Sequence, residues 1–178
     1  MRYIKYYESI KSIDSICNKY NIYNYTINSD GSIDVDGNVY LSYYKLTKLP
    51  IRFGKVSGNF NCSCNGLTTL EGSPKEVGGS YYCSSNRLTT LEYGPEQVGG
   101  NFNCNYNKIT TLKYHPDEIR GGFYCQYNPL PLLIRDNIEH IEIINSEAED
   151  FSIWRRDGSL DELRFKYMLD ILKEEGKI

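Results

Sequence analysis

A spacing of 21 residues constrains this chain more than any other property. "SGNFNCSCNGLTTL" occupies 57–70, "GGSYYCSSNRLTTL" 78–91, "GGNFNCNYNKITTL" 99–112, and "GGFYCQYNPL" begins at 121. Val56, Val77, Val98 and Ile119 correspond, as do Gly58, Gly79, Gly100 and Gly121. Phe60, Tyr81, Phe102 and Phe123 form the next column, followed by Cys62, Cys83, Cys104 and Cys125. Asn65, Asn86, Asn107 and Asn128 come three residues later, then Leu67, Leu88, Ile109 and Leu130. Leu70, Leu91 and Leu112 precede Pro74, Pro95 and Pro116, which close the units. A weaker copy, Gly37, Val39, Leu41, Leu46 and Leu49, has Tyr44 in the asparagine column. About five units thus fill 35–131, flanked by 1–34 and 132–178.

A fixed period of this length means that each unit is one supersecondary element that buries its apolar side on its neighbours. Each unit is expected to supply a short strand, paired in a parallel sheet at a spacing of about 4.8 Å. Side chains alternate along a strand, so Phe60 and Cys62 point inward while Asn59, Asn61 and Ser63 point out. Cysteine is small and apolar enough to stack on copies of itself. Asn65 and its equivalents turn the chain, with amides free to bond backbone within the turn and in the next coil. The Gly-Gly pairs allow close backbone approach before each strand. Proline fixes φ on the back of the coil.

The pattern Phe60-x-Cys62-x-x-Asn65-x-Leu67-x-x-Leu70 resembles the leucine-rich repeat. More narrowly, "VGGNFxCxxNxLTTLExxPxxV" resembles short repeats in proteins of large bacteriophage genomes. The segment "INSDGSIDVDGNVYLSYYKLTKLP" is similar to the lead-in of such proteins. The resemblance implies an α/β leucine-rich-repeat solenoid with short parallel strands, a helical N-terminal cap and an α/β C-terminal cap. It also implies a role inside an infected bacterium, such as blocking a host or defence protein.

A stack of repeats leaves apolar ends that need covering. Ile4, Tyr7, Ile10, Ile13, Ile16, Cys17 and Tyr20 recur at helical steps and predict a helix over 3–20. "INSDGSIDVDGN" reads as turns and a strand that starts the stack. "IEHIEIIN" (138–145) alternates and predicts a strand. A last helix is expected from Ser159, with Glu162 completing a capping box and Leu160, Leu163, Tyr167, Met168, Ile171 and Leu172 as its apolar stripe.

Chemistry finds little purchase. Net charge is −3, with no basic stripe to suit nucleic acid. No apolar run reaches the length of a membrane span, and no signal peptide is visible, so a cytoplasmic protein with reduced thiols is expected, in the host bacterium if phage-encoded. Cysteines in one column lie in a line and cannot surround a zinc ion. Nor do parallel, in-register side chains suit disulfides. Cys64, near the strand end, is the one thiol expected toward the surface. Ser32, Asp34, Asp36 and Gly37 echo a calcium loop, but Tyr43 stands where a bidentate Glu is required. His115 and His140 have no nucleophile at a recognisable spacing. No cofactor, metal or catalytic residue is therefore expected, and an enzyme with a cap site around Arg155, Arg156 and His140 is the least favoured class.

The outward positions remain. Tyr40, Asn61, Tyr82, Asn103 and Tyr124 form one column. Ser42, Ser63, Ser84, Asn105 and Gln126 form the next, and Tyr43, Cys64, Ser85, Tyr106 and Tyr127 a third. The chain holds 17 Tyr against six Phe and one Trp. Tyr supplies rigid contact area, and small polar groups supply adaptable hydrogen bonds, which is the composition of protein-binding surfaces. The expected function is non-catalytic protein binding through Tyr40, Tyr43, Asn61, Ser63, Tyr82, Ser84, Asn103, Asn105, Tyr106, Tyr124, Gln126 and Tyr127, by a monomer or weak homo-oligomer. The alternative is a structural, virion-associated protein that assembles with its own copies.

Overall fold

The computed structural model describes residues 12–148 and 150–178. Residues 12–19 form helix α1, which buries Cys17, with Tyr20 buried just beyond it; the first nine residues of the helix expected over 3–20 lie outside the described residues. An antiparallel hairpin of β1 (Tyr25–Ile27) and β2 (Ile33–Val35) then opens the stack.

Each coil contributes two strands where the sequence suggests one. The first sheet continues from β2 through β4 (Phe53–Val56), β6 (Glu76–Val77), β8 (Gln97–Val98) and β10 (Glu118–Ile119), all parallel. The second holds β3 (Val39–Tyr40), β5 (Phe60–Asn61), β7 (Tyr81–Tyr82), β9 (Phe102–Asn103) and β11 (Phe123–Tyr124), also parallel. Together they wind a mixed α/β solenoid of about four turns, with short helices at its ends. The register pairs each residue with the one 21 positions on, as in Phe60 with Tyr81 and Val56 with Val77. The corner between the sheets is tight: a Cβ on Gly99 would overlap the carbonyl oxygen of Gly78 in the coil below.

The interior consists of columns. Phe60, Tyr81, Phe102 and Phe123 stack face to face, with centroids 5.4, 5.3 and 5.5 Å apart and planes within 8°. This is the offset stacking that parallel register imposes on aromatic rings. Tyr81 alone carries a hydroxyl into this column, and it shares a 2.5 Å hydrogen bond with buried Ser73. Eight residues before Phe102 and Phe123 stand Gly94 and His115, so the hydroxyl partner appears in the one coil that needs it.

Cys62, Cys83, Cys104 and Cys125 are buried beside the rings, in one interior row as expected. The Sγ of Cys62 and of Cys104 donates to the carbonyl of Tyr82 (3.4 Å) and of Tyr124 (3.3 Å) in the next coil. Burial pushes the Cys62 and Cys125 thiols up to about 12 and raises those of Cys83 and Cys104 well above the usual thiol range. These thiols are uncharged packing groups.

The asparagine column joins coil to coil. Asn86 Nδ2 donates to the carbonyls of Cys62 and Cys83, both at 3.1 Å, and its Oδ1 accepts from the Leu67 amide at 3.0 Å. Asn65, Asn107 and Asn128 repeat these contacts one coil away. A second ladder links corners: Asn38, Asn59, Ser80 and Asn101 each accept from a backbone N–H 21 residues later. Asp34 and Asp36 serve the same end, accepting from the Lys55 amide and the Ser57 hydroxyl at 2.8 Å each, which gives the calcium-like sequence a structural role.

The C-terminal cap departs from expectation. Residues 138–145 form no strand; a 3-10 turn (Ile138–His140) leads into α3 (Ile141–Glu147), preceded by α2 (Leu132–Arg135). The isoleucines fit either period, and helix wins because Ile141 and Ile144 on one side are buried. Helix α4 (Glu162–Glu174) is capped by Asp161, which accepts from the Arg164 amide at 3.3 Å, not by Ser159. Ser159 is held in a turn by Asp157. The buried stripe of α4 is Phe165, Met168, Leu169 and Leu172, so expected core residues Leu163 and Tyr167 lie exposed at 80% and 62%.

Candidate binding face

The outer side of the second sheet carries the three columns singled out from the sequence. Backbone bonds at Phe60, Cys62 and Cys64, each donating to the next coil, extend the ladder beyond the two-residue strands. Five rungs at about 4.8 Å make a face roughly 20 Å long.

Structure divides the expected contact residues into two groups. Tyr40, Tyr43, Tyr106, Tyr124 and Tyr127 are exposed, and so is Gln126. Asn61, Tyr82, Ser84, Asn103 and Asn105 are half-buried. Ser63 is a correction: it is buried, with its hydroxyl accepting from Ser84 Oγ at 3.0 Å. The amides are also employed internally. Asn61 and Asn103 fold back onto the amides of Ser63 and Asn105 (3.0 Å each), and Asn105 accepts from the Gln126 amide at 2.7 Å. Most of the polar group therefore maintains the solenoid, and the tyrosines are what the face offers.

The third column sits in a turn past the strand. Tyr43, Cys64, Ser85, Tyr106 and Tyr127 have φ of 64°, 56°, 55°, 56° and 58°. This left-handed region favours Gly, Asn or Asp and disfavours bulky side chains. Sequence reading missed it because none of these residues signals left-handed backbone. The conformation tips their side chains outward: Tyr43 is 77% exposed and Tyr127 70%. Tyr106 and Tyr127 stack at 4.2 Å, and a side-chain hydrogen bond between them raises the Tyr106 phenol pKa. At the other end Tyr43 bonds Cys64, which raises its own pKa, and Tyr44 stands beside it edge-on to Tyr20. The exposed aromatics thus gather at the two ends of the face, with Cys64, Ser85 and the half-buried Tyr82 between them.

Arg155 lies 3.5 Å from Asp161, Arg156 accepts Lys113 Nζ on its carbonyl, and His140 lies 3.7 Å from Glu139. His115 Nδ1 is 2.7 Å from the Pro116 carbonyl oxygen. Among the described residues no three His, Cys, Asp or Glu side chains are grouped to hold a metal, and no helix is long and apolar enough to cross a membrane. No protein-family model, curated protein or solved structure matches the chain.

Proposed function

We propose that the chain is a non-catalytic protein-binding module whose partner docks on the tyrosine-bearing outer face of the second sheet. The observation that carries this reading is the left-handed column. A non-glycine residue there costs about 1 kcal/mol, and Asn or Gly would relieve it. Three of the five positions are instead exposed Tyr. Local strain retained where the side chain contributes nothing to the interior is a mark of function. Rings at both ends of a polar strip provide two anchors for one partner, the arrangement in which a few aromatic residues dominate binding.

The resemblance of the 21-residue units to leucine-rich repeats, and of "VGGNFxCxxNxLTTL" to bacteriophage proteins, supports a host-bacterial protein as partner. The test is affinity capture from bacterial lysate with the wild-type chain and with Y43N/Y106N/Y127N. Wild type should retain a stoichiometric protein that the variant loses, while the variant's melting temperature is unchanged or higher, since Asn suits φ > 0. Equal capture by both chains refutes the assignment of the face.

A further inference from the structure

At the first coil the second sheet ends on a row of unpaired backbone groups. In the second coil the carbonyls of Asn59, Asn61 and Ser63 accept from the Val39, Leu41 and Tyr43 amides of the coil before, at 2.8, 2.7 and 3.3 Å. The next three coils repeat the arrangement, ending with Gly122, Tyr124 and Gln126. The equivalent carbonyls of the first coil belong to Asn38, Tyr40 and Ser42. They accept from no described residue, because β3 is the outermost strand of its sheet. Backbone groups alternate in direction along a strand, so the N–H groups of these three residues also point away from the stack. Asn38 and Tyr40 are exposed and Ser42 is half-buried.

Other ends of the stack are closed. In the first sheet β1 pairs antiparallel with β2. At the far end of the second sheet Glu142 accepts from the Phe123 amide, beneath a cap that buries Ile141 and Ile144. Proteins blunt an open edge with Lys, Pro or a bulge. Between Asp36 and Lys45 this edge has neither a charge nor a proline, and β3 pairs with β5 without a register shift. Its free groups are symmetric about Tyr40, so an antiparallel copy of the same segment fits in one register. Tyr40 N–H donates to the Tyr40 carbonyl of the second copy and accepts in return. Ser42 N–H donates to the Asn38 carbonyl, and Asn38 N–H to the Ser42 carbonyl. Head-to-tail addition would need the far edge, which the cap covers, so copies close as a pair and do not string into a filament.

We propose that the protein forms a weak two-fold dimer by antiparallel pairing of its 38–42 edges. The two Tyr40 side chains stand opposite each other on the outer face, with Cβ atoms about 4.5–5.5 Å apart. The two second sheets become one, and both tyrosine faces lie on the same side of it. An edge this short buries less than the roughly 1,200 Å² of stable complexes, which makes the association weak. The pairing does not depend on the tyrosine face having a partner.

Sedimentation velocity of the full chain from about 10 μM to about 1 mM tests it. Wild type should pass from monomer to dimer across that range and stop there. Y40P removes the central N–H at an edge position where proline is tolerated; it should stay monomeric with a melting temperature within a few degrees of wild type. Y40D and Y40K set like charges opposite each other, so each should associate several-fold more weakly than wild type. Their equimolar mixture should associate several-fold more tightly than either alone. Both are changes at an exposed side chain and cover the case in which Y40P does not fold. Y106N/Y127N, at the other end of the face, should dimerise as wild type does, whatever it captures from a lysate. Wild type that stays monomeric to about 1 mM, full association by Y40D, a mixture no tighter than its components, or assembly beyond the dimer would overturn the proposal.

Discussion

The coils and the C-terminal cap solve the same problem with unequal success. In the coils, the buried Cys and Asn meet their own copies one turn away, so a residue that works once works throughout. Asn86 is satisfied by Cys62, Cys83 and Leu67, and Asn107 by Cys83, Cys104 and Leu88. The cap has nothing above it to copy. It closes the stack by burying Ile141, Ile144, Phe165 and Met168, and Glu142 accepts from the free edge amide of Phe123 at 3.2 Å. Asn145 and Trp154 are left over. Translation symmetry satisfies polar groups automatically; a unique junction has to satisfy them one by one.

That contrast can be broken most forcefully in the aromatic column. F102A removes a ring that touches both neighbours, and should cost about 3–5 kcal/mol in denaturant unfolding. A loss below about 1 kcal/mol would mean that the column does not hold the coils together. Next comes N86A, which strands the Leu67 amide and strips a donor from two buried carbonyls, for about 3 kcal/mol. N145L removes two unpartnered atoms and should be neutral or stabilising, so the pair compares one residue type in a satisfied and an unsatisfied site; equal losses would erase the distinction between coil and cap.

A smaller effect is expected from pH. The ladder thiols have folded pKa values raised above the usual 9.0, so the native state keeps their protons longer than the unfolded chain does. Their contribution is intact below about pH 9 and is lost as pH rises from there toward 12. Cys62 and Cys125 should each remove about 1.4 kcal/mol of stability per pH unit in that window. C62V should therefore reduce the alkaline loss by about that amount, measured as the change in unfolding free energy between pH 9 and pH 10. The smallest effect belongs to Y81F, which leaves the Ser73 hydroxyl unpaired for about 1 kcal/mol. Adding S73A should restore most of the loss, because the other coils manage without the pair; no recovery would show that the two residues are independent.

Legibility followed repetition. The Phe and Cys columns were visible as interior because they alternate with polar residues and recur in register, and the asparagines were readable as turn residues that bridge coils. The first sheet was not, because each of its repeated two-residue strands after Phe53–Val56 has a single inward residue, such as Val77 or Val98, and no alternation to detect. The tyrosine columns could be named from sequence, but not the left-handed backbone under Tyr43, Tyr106 and Tyr127. Isoleucines at 138, 141, 143 and 144 satisfy strand and helix patterns equally, and only packing on the last coil chose between them. The unpartnered Asn145 and Trp154 had no sequence signal, since their surroundings come from separated segments.

By itself, the sequence determined the period, the identity of each interior column and the stacking in register, because a 21-residue repeat allows each side chain to be buried only against its equivalents. Tertiary structure alone decided how the stack ends and what its surface displays: which face of α4 is buried, how the tyrosines are tilted, and where Asn145 is left unpaired. Those outcomes depend on contacts between parts of the chain that share no pattern, so no local spacing could encode them.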